Sequence, residues 1–190
     1  MASQLWLIRH GETAWSLSGA HTGRTDLPLT PEGEKRAAAL GPVLAAQNFK
    51  LVLTSPMQRA RRTCELAGLS GAAQVDANLC EWNYGDYEGK STPEVHKTRP
   101  DWSLFRDGVP NGESIDQVAT RARAVIERAL AAGGDAALFA HGHILRILGA
   151  CWLGLPPNDA RLLFLGTAGL SVLGYEHETR VIVRWNVQVG

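Results

Sequence analysis

Three short apolar runs, residues 4–8 (QLWLI), 51–54 (LVLT) and 136–140 (AALFA), each open directly into a polar segment rich in cations and imidazoles. Runs of this length with no polar face read as strands covered on both sides, as in a parallel sheet. The stretches between them carry helix signals. Thr30 as N-cap with Pro31 at the first helical position predicts a helix over 31–47, and Ser55 precedes one over 56–67. Ser114 with Gln117 three residues on forms a capping-box signature for a helix to 132, ended by Gly133 and Gly134. A fourth helix starts near His143 and must stop before Pro156 and Pro157. Residues 170–175 and 181–186 flank the polar EHETR and read as a hairpin at a sheet edge.

This alternation predicts an α/β fold, a three-layer α/β/α sandwich with a mainly parallel central sheet. No linker, repeat or low-complexity tract divides the 190 residues, so one domain over 1–190 is expected. Open sheets of this kind bind ligands beyond the carboxyl ends of their strands. There the first strand delivers Arg9 and His10, the second Ser55 to Arg59, and the third His141, Gly142 and His143.

Lys and Arg number 19 against 19 Asp and Glu, so no global charge draws the chain to nucleic acid or anionic lipid, and any anion site must be local. The longest apolar run, 147–155, is too short to span a bilayer, so no membrane association is expected. The start, MASQLWLIRH, lacks a cationic n-region and meets Arg9 early, so it does not read as a signal peptide and the cytoplasm is the expected compartment. Three cysteines without a CxxC pair read as buried reduced thiols. No cluster of Asp, Glu or Cys stands beside His141 and His143 to complete a metal site, so none is expected there. Residues 85–91 (GDYEGKS) imitate a phosphate-binding loop but fall one residue short between glycines, with Asp86 and Glu88 where phosphates would lie.

The constellation LIRHGETAW, HTGRTDLPLTPEGEKRA (21–37), TSPMQRARRT (54–63), CEWNYGDYEG (80–89), PNGES (110–114) and FAHGHILR (139–146) resembles the histidine phosphatase, or phosphoglycerate mutase-like, superfamily over most of the chain and in the family's order. Its sedoheptulose-bisphosphatase-like and acid phosphatase branch is the most similar. The resemblance implies a phosphoglycerate mutase-like fold in which His10 becomes phosphorylated while Arg9, Arg59 and His141 hold the transferring phosphoryl group. It places the proton donor at Glu81, beside Trp82 and Tyr84, whose rings would keep water from it. Thr22 and Gly23 match a segment that meets phosphate or substrate. Ser16 stands where many members carry Asn. Tyr84, Gly142 and His143 join the expected substrate contacts, with His21 either a contact or a structural hydrogen bond, and Glu113 an orienting group or a helix-start charge.

A neutral imidazole is a competent nucleophile, and a covalent intermediate splits hydrolysis into two easier steps. Guanidiniums can hold the equatorial oxygens, where charge must be stabilised, without a cofactor. The resemblance therefore implies metal-independent hydrolysis of a small phosphorylated substrate, and its most similar branch implies a sugar phosphate or bisphosphate. The mutases of the family are longer, with basic segments that seal the pocket, and no comparable insertion stands between Gly89 and Gly112. A cofactor-dependent phosphoglycerate mutase and a non-catalytic phospho-ligand-binding module are the alternatives. A homo-oligomer is compatible with the sequence, which specifies no interface.

Overall fold

A computed structural model describes residues 3–189. Its strands are β1 (Leu5–Arg9), β2 (Leu51–Thr54), β3 (Ala73–Val75), β4 (Ala136–Ala140), β5 (Leu170–Glu176) and β6 (Thr179–Val187), in one sheet of order β3-β2-β4-β1-β5-β6. The first four strands run parallel, and β5 and β6 extend the sheet antiparallel beyond β1. The hairpin therefore lies at an edge, as expected. The helices are α1 (Ala14–Ser18), α2 (Pro31–Ala39), α3 (Gly41–Ala45), α4 (Gln58–Leu66), α5 (Thr92–His96), α6 (Leu104–Asp107), α7 (Ile115–Ala131) and α8 (Gly142–Trp152). Among the described residues no helix is long and apolar enough to cross a membrane.

The sheet is apolar on both faces because alternate residues of each central strand enter different cores. Leu5, Leu7, Leu53 and Leu138 meet Val118, Ala122 and Val125 of α7 and Ile144 and Leu148 of α8 on one side. Trp6, Ile8, Val52 and Phe139 meet Leu40, Leu44, Cys64 and Ala67 on the other. That is the three-layer α/β/α arrangement.

Three local expectations are corrected, and two short elements go unforeseen. The helix expected over 31–47 divides at Leu40 into α2 and α3, because Pro42 has no N–H to continue the ladder. The helix expected from Pro56 begins at Gln58, because Met57 is extended at φ −66°, ψ 135° and stands as the residue before the first helical turn. Ser55 is not its cap; the Gln58 N–H donates to Asp26 Oδ1 at 2.8 Å instead. β3 and α1 carry too few apolar residues to be read from periodicity.

Candidate active site

His10 leaves β1 with its N–H donating to the Ala140 carbonyl (2.9 Å) and its own carbonyl accepting from Ala168 (3.0 Å), so both flanks of the backbone are fixed. The next residue must be glycine: a Cβ at Gly11 would overlap the Gly33 carbonyl of the first turn of α2. The close approach at Gly11 is thus to another backbone segment. The His10 Nδ1 lies 2.6 Å from the Gly11 carbonyl. A carbonyl only accepts, so Nδ1 carries the proton, and Nε2 keeps its lone pair in the wall of a cavity of about 220 Å³. Burial, with the Arg9 and then the Arg59 guanidinium, holds this imidazole well below the usual histidine range. It is neutral at physiological pH, as a nucleophile must be.

Arg9 also lines the cavity, anchored by an Nη1 bond to the Leu165 carbonyl at 2.6 Å. Its Nε is a buried donor with no protein partner. Gly142, just after β4, leaves room for this side chain, since a Cβ there would stand 3.3 Å from Arg9 Cζ. Arg59, fully buried, is less open than expected. Its Nε donates to His141 Nδ1 (3.1 Å), Nη1 to the Thr25 carbonyl, and Nη2 to the carbonyls of Thr22 and Gly23. Because His141 Nδ1 accepts from an arginine, its proton sits on Nε2, which donates to Ser55 Oγ at 2.8 Å. Burial first, then Arg59 and His10, hold His141 well below the usual range. Its ring lies edge-on to His10 with centroids 5.2 Å apart. Arg59 and His141 thus form the layer directly behind His10, and neither lines the cavity.

Glu81 also lines the cavity. Its Oε1 accepts from the N–H of Trp82 and Ile144, and its Oε2 from that of His143, each at 2.9 Å. The dry aromatic setting expected is therefore supplemented by three backbone donors, two of them from the open N-terminal turn of α8, which has no side-chain cap of its own. The Tyr84 hydroxyl meets His143 Nδ1 at 2.6 Å, and His21 stacks on Tyr84 at 4.9 Å with its Nε2 buried and unpartnered. Burial and then Arg146 hold His143 well below the usual range, and burial and then Glu81 push the Tyr84 hydroxyl well above it.

Several expected contacts are committed elsewhere. Ser16 and Thr22 line the cavity, but the Ser16 hydroxyl closes a capping box with Thr13, and the Thr22 hydroxyl donates to the Ala20 carbonyl. Gly23 lies outside the lining, and its amide, expected to meet phosphate, donates to Glu88 at 2.9 and 3.1 Å. Glu88 also accepts from Thr25, so this carboxylate fixes the loop whose carbonyls hold Arg59. In the sequence Glu88 appears only as a charge unsuited to phosphate; the shared YEG segment was the available signal. Glu113 accepts from the Asn83 N–H and pairs with Arg121. Arg146, in the matching FAHGHILR segment but unassigned, also lines the cavity.

Three buried imidazoles held neutral fix a pH dependence of stability. Their folded pKa values lie below the unfolded value of about 6.5, so the unfolded chain binds more protons below that pH and stability falls with acidity. Unfolding free energy is expected to be flat above about pH 7 and to drop below about 6.5 with a slope approaching about 4 kcal/mol per pH unit for three such groups. Urea titrations from pH 5 to 8 measure it; a flat profile down to pH 5 would mean that these rings are not neutral in the fold.

Residues 5–188 match the model of the histidine phosphatase superfamily (branch 1). An acid phosphatase of Mycobacterium tuberculosis is 38% identical over 93% of this chain and 89% of that protein. The sedoheptulose 1,7-bisphosphatase of Saccharomyces cerevisiae is 39% identical over 78% of this chain and 67% of its own length. A Photorhabdus laumondii protein named "Probable phosphoglycerate mutase GpmB" is 31% identical over 97% and 91%. A solved structure of a functionally characterised Mycobacterium tuberculosis open reading frame superposes with a TM-score of 0.93 at 36% identity, covering 98% of each chain.

Proposed function

The chain belongs to the histidine phosphatase superfamily (branch 1), and we propose that within it this protein is a metal-independent phosphatase acting on small sugar phosphates or bisphosphates through phospho-His10. The observation that carries the reading is the His10 tautomer, with Nδ1–H tied to Gly11 and a neutral Nε2 at the cavity wall. His10 Nε2 attacks phosphorus while Glu81 gives its proton to the ester oxygen as the P–O bond breaks. Glu81, now a carboxylate, takes a proton from the water whose oxygen attacks phospho-His10, and phosphate leaves as the imidazole is restored. Arg9, with unspent donors, and the Arg59 charge behind the ring stabilise the transferring group. No step needs a cofactor.

The sedoheptulose-bisphosphatase relative and the small cavity support a compact sugar substrate. Arg146 supports the bisphosphate form. It stacks 4.6 Å from the Phe105 ring centroid, is held by the carbonyls of Ala160 and Arg161, and pairs with no carboxylate among the described residues. A second guanidinium in a cavity whose base already has one is suited to a second anionic group. Arg146→Met is expected to raise KM for fructose 1,6-bisphosphate by about tenfold or more, the worth of one charge-assisted bond, and KM for a monophosphate by under about twofold. Equal rises for both would remove the bisphosphate assignment.

The mutase relative favours a second reading, in which phospho-His10 returns its phosphoryl group to product. Phosphate release in EDTA from sugar mono- and bisphosphates and 3-phosphoglycerate, with 2-phosphoglycerate monitored, separates the two. Release that survives EDTA supports the phosphatase; 2-/3-phosphoglycerate exchange outrunning release makes the protein a mutase.

A further inference from the structure

Glu81 lies in a segment with no regular secondary structure, between the turn 77–79 and the turn 85–87, yet its carboxyl must be held to within a fraction of an ångström of the leaving oxygen to transfer a proton. Its own three hydrogen bonds fix the carboxyl end. The backbone end is fixed from α7. Arg121, 16% exposed at its side chain, donates Nη1 to the carbonyls of Asn78 (2.7 Å) and Cys80 (2.8 Å), immediately before Glu81. Its other edge, Nε and Nη2, makes a two-point contact with the Glu113 carboxylate at 2.9 and 3.0 Å. Glu113 in turn grips the residues immediately after Glu81. Its Oε2 accepts from the Asn83 N–H (2.9 Å), its N–H donates to the Asn83 carbonyl (3.0 Å), and its carbonyl accepts from Trp82 Nε1 (2.8 Å). One planar guanidinium thus ties together both ends of the segment 78–83 at whose middle the acid stands.

The geometry points to Arg121, acting through Glu113 and the carbonyls of Asn78 and Cys80, as the positioning residue that sets the proton-transfer geometry of Glu81. The inference rests on the reading of Glu81 as proton donor. A fork is needed here because a lysine ammonium offers no rigid plane to meet a carboxylate on one edge and two carbonyls on the other. Arg128, two turns along α7, pairs with Asp76 at 2.7 Å and anchors the start of the same segment, but it reaches no residue adjoining Glu81. It serves as the control for a merely structural staple.

A leaving-group series makes the test. Dinitrophenyl phosphate expels a stable phenolate and needs no proton, whereas a sugar or alkyl phosphate expels an alkoxide and does. Glu81→Gln is expected to lower kcat/KM, which reports only the steps through leaving-group departure and not the later hydrolysis of phospho-His10, by about 100-fold for the sugar phosphate and to leave kcat/KM for dinitrophenyl phosphate within about threefold. Arg121→Met is expected to follow the same pattern in kcat/KM at about tenfold or more, with Arg121→Lys only partly restoring it. Arg128→Met should change stability without changing the ratio between the two substrates. Should Arg121→Met fail to fold, Arg121→Lys and Glu113→Gln carry the same ratio measurement. A leaving-group effect for Glu81→Gln but uniform loss, or none, for the Arg121 and Glu113 variants overturns the positioning role. A flat series for Glu81→Gln itself overturns the acid reading, and the inference with it.

Discussion

His10→Ala is expected to reduce phosphate release by on the order of 10⁴-fold or more, the scale seen when a covalent nucleophile is removed and only binding and electrostatic stabilisation remain. The size follows from how little else the site offers. Glu81 accepts three backbone N–H bonds, and the neighbouring imidazole, His141, has both nitrogens committed, to Arg59 and to Ser55. Neither is placed to substitute as nucleophile. Because the Nδ1 proton is already tied to Gly11, no tautomer change or deprotonation precedes attack. Brief acid-free quenching with labelled substrate should trap label on His10 alone, stable in alkali and released by acid. Retention of more than about a hundredth of the rate in His10→Ala, or label elsewhere, would remove the covalent mechanism from this site. The cavity in that variant should still bind phosphate, since the Arg9 guanidinium still lines it.

The parts of this architecture that were legible in the sequence are those encoded over short spans of residues. Residues 4–8, 51–54 and 136–140 read as central strands because apolar runs with no polar alternation have only one use in a chain of this composition, and β1, β2 and β4 lie there. The Ser114 capping box with Gln117 begins α7 as read. His10, Arg59 and His141 converge because each follows a parallel strand, and parallel strands end on one side. What escaped was encoded by partners far apart. The amide of Gly23 looks like an anion donor until Glu88, 65 residues away, claims it. The open first turn of α8 is capped by Glu81, 62 residues before His143. α4 takes its cap from Asp26, which no local pattern could indicate. β3, three residues at an edge with Gln74 and Val75 exposed, exists because β2 offers it hydrogen bonds. In each case a backbone group was satisfied by a distant partner, and short-range periodicity does not encode distant partners.

Arg59→Met is expected to have the second-largest effect, in two measurable quantities with different causes. The guanidinium is fully buried and satisfies the carbonyls of Thr22, Gly23 and Thr25 together with His141 Nδ1. A methionine of similar length fills the space but leaves those four acceptors without a donor. Each unsatisfied buried acceptor costs about 1–3 kcal/mol before relaxation, so a net loss of at least about 3 kcal/mol is expected in urea unfolding. The catalytic loss is separate. Arg59 contributes charge immediately behind His10 and fixes the ring of His141, and removal of one preorganised donor or charge of this kind lowers kcat by about 10² to 10³. Arg59→Lys divides the two effects. An ammonium restores the charge but reaches at most some of the four acceptors, so it should recover part of the rate while recovering little of the stability. If Arg59→Met instead retained full stability, the carbonyl cradle around Arg59 would not be what holds the loop 22–25, and Glu88, which binds the same loop from its other side through Gly23 and Thr25, would have to hold it alone.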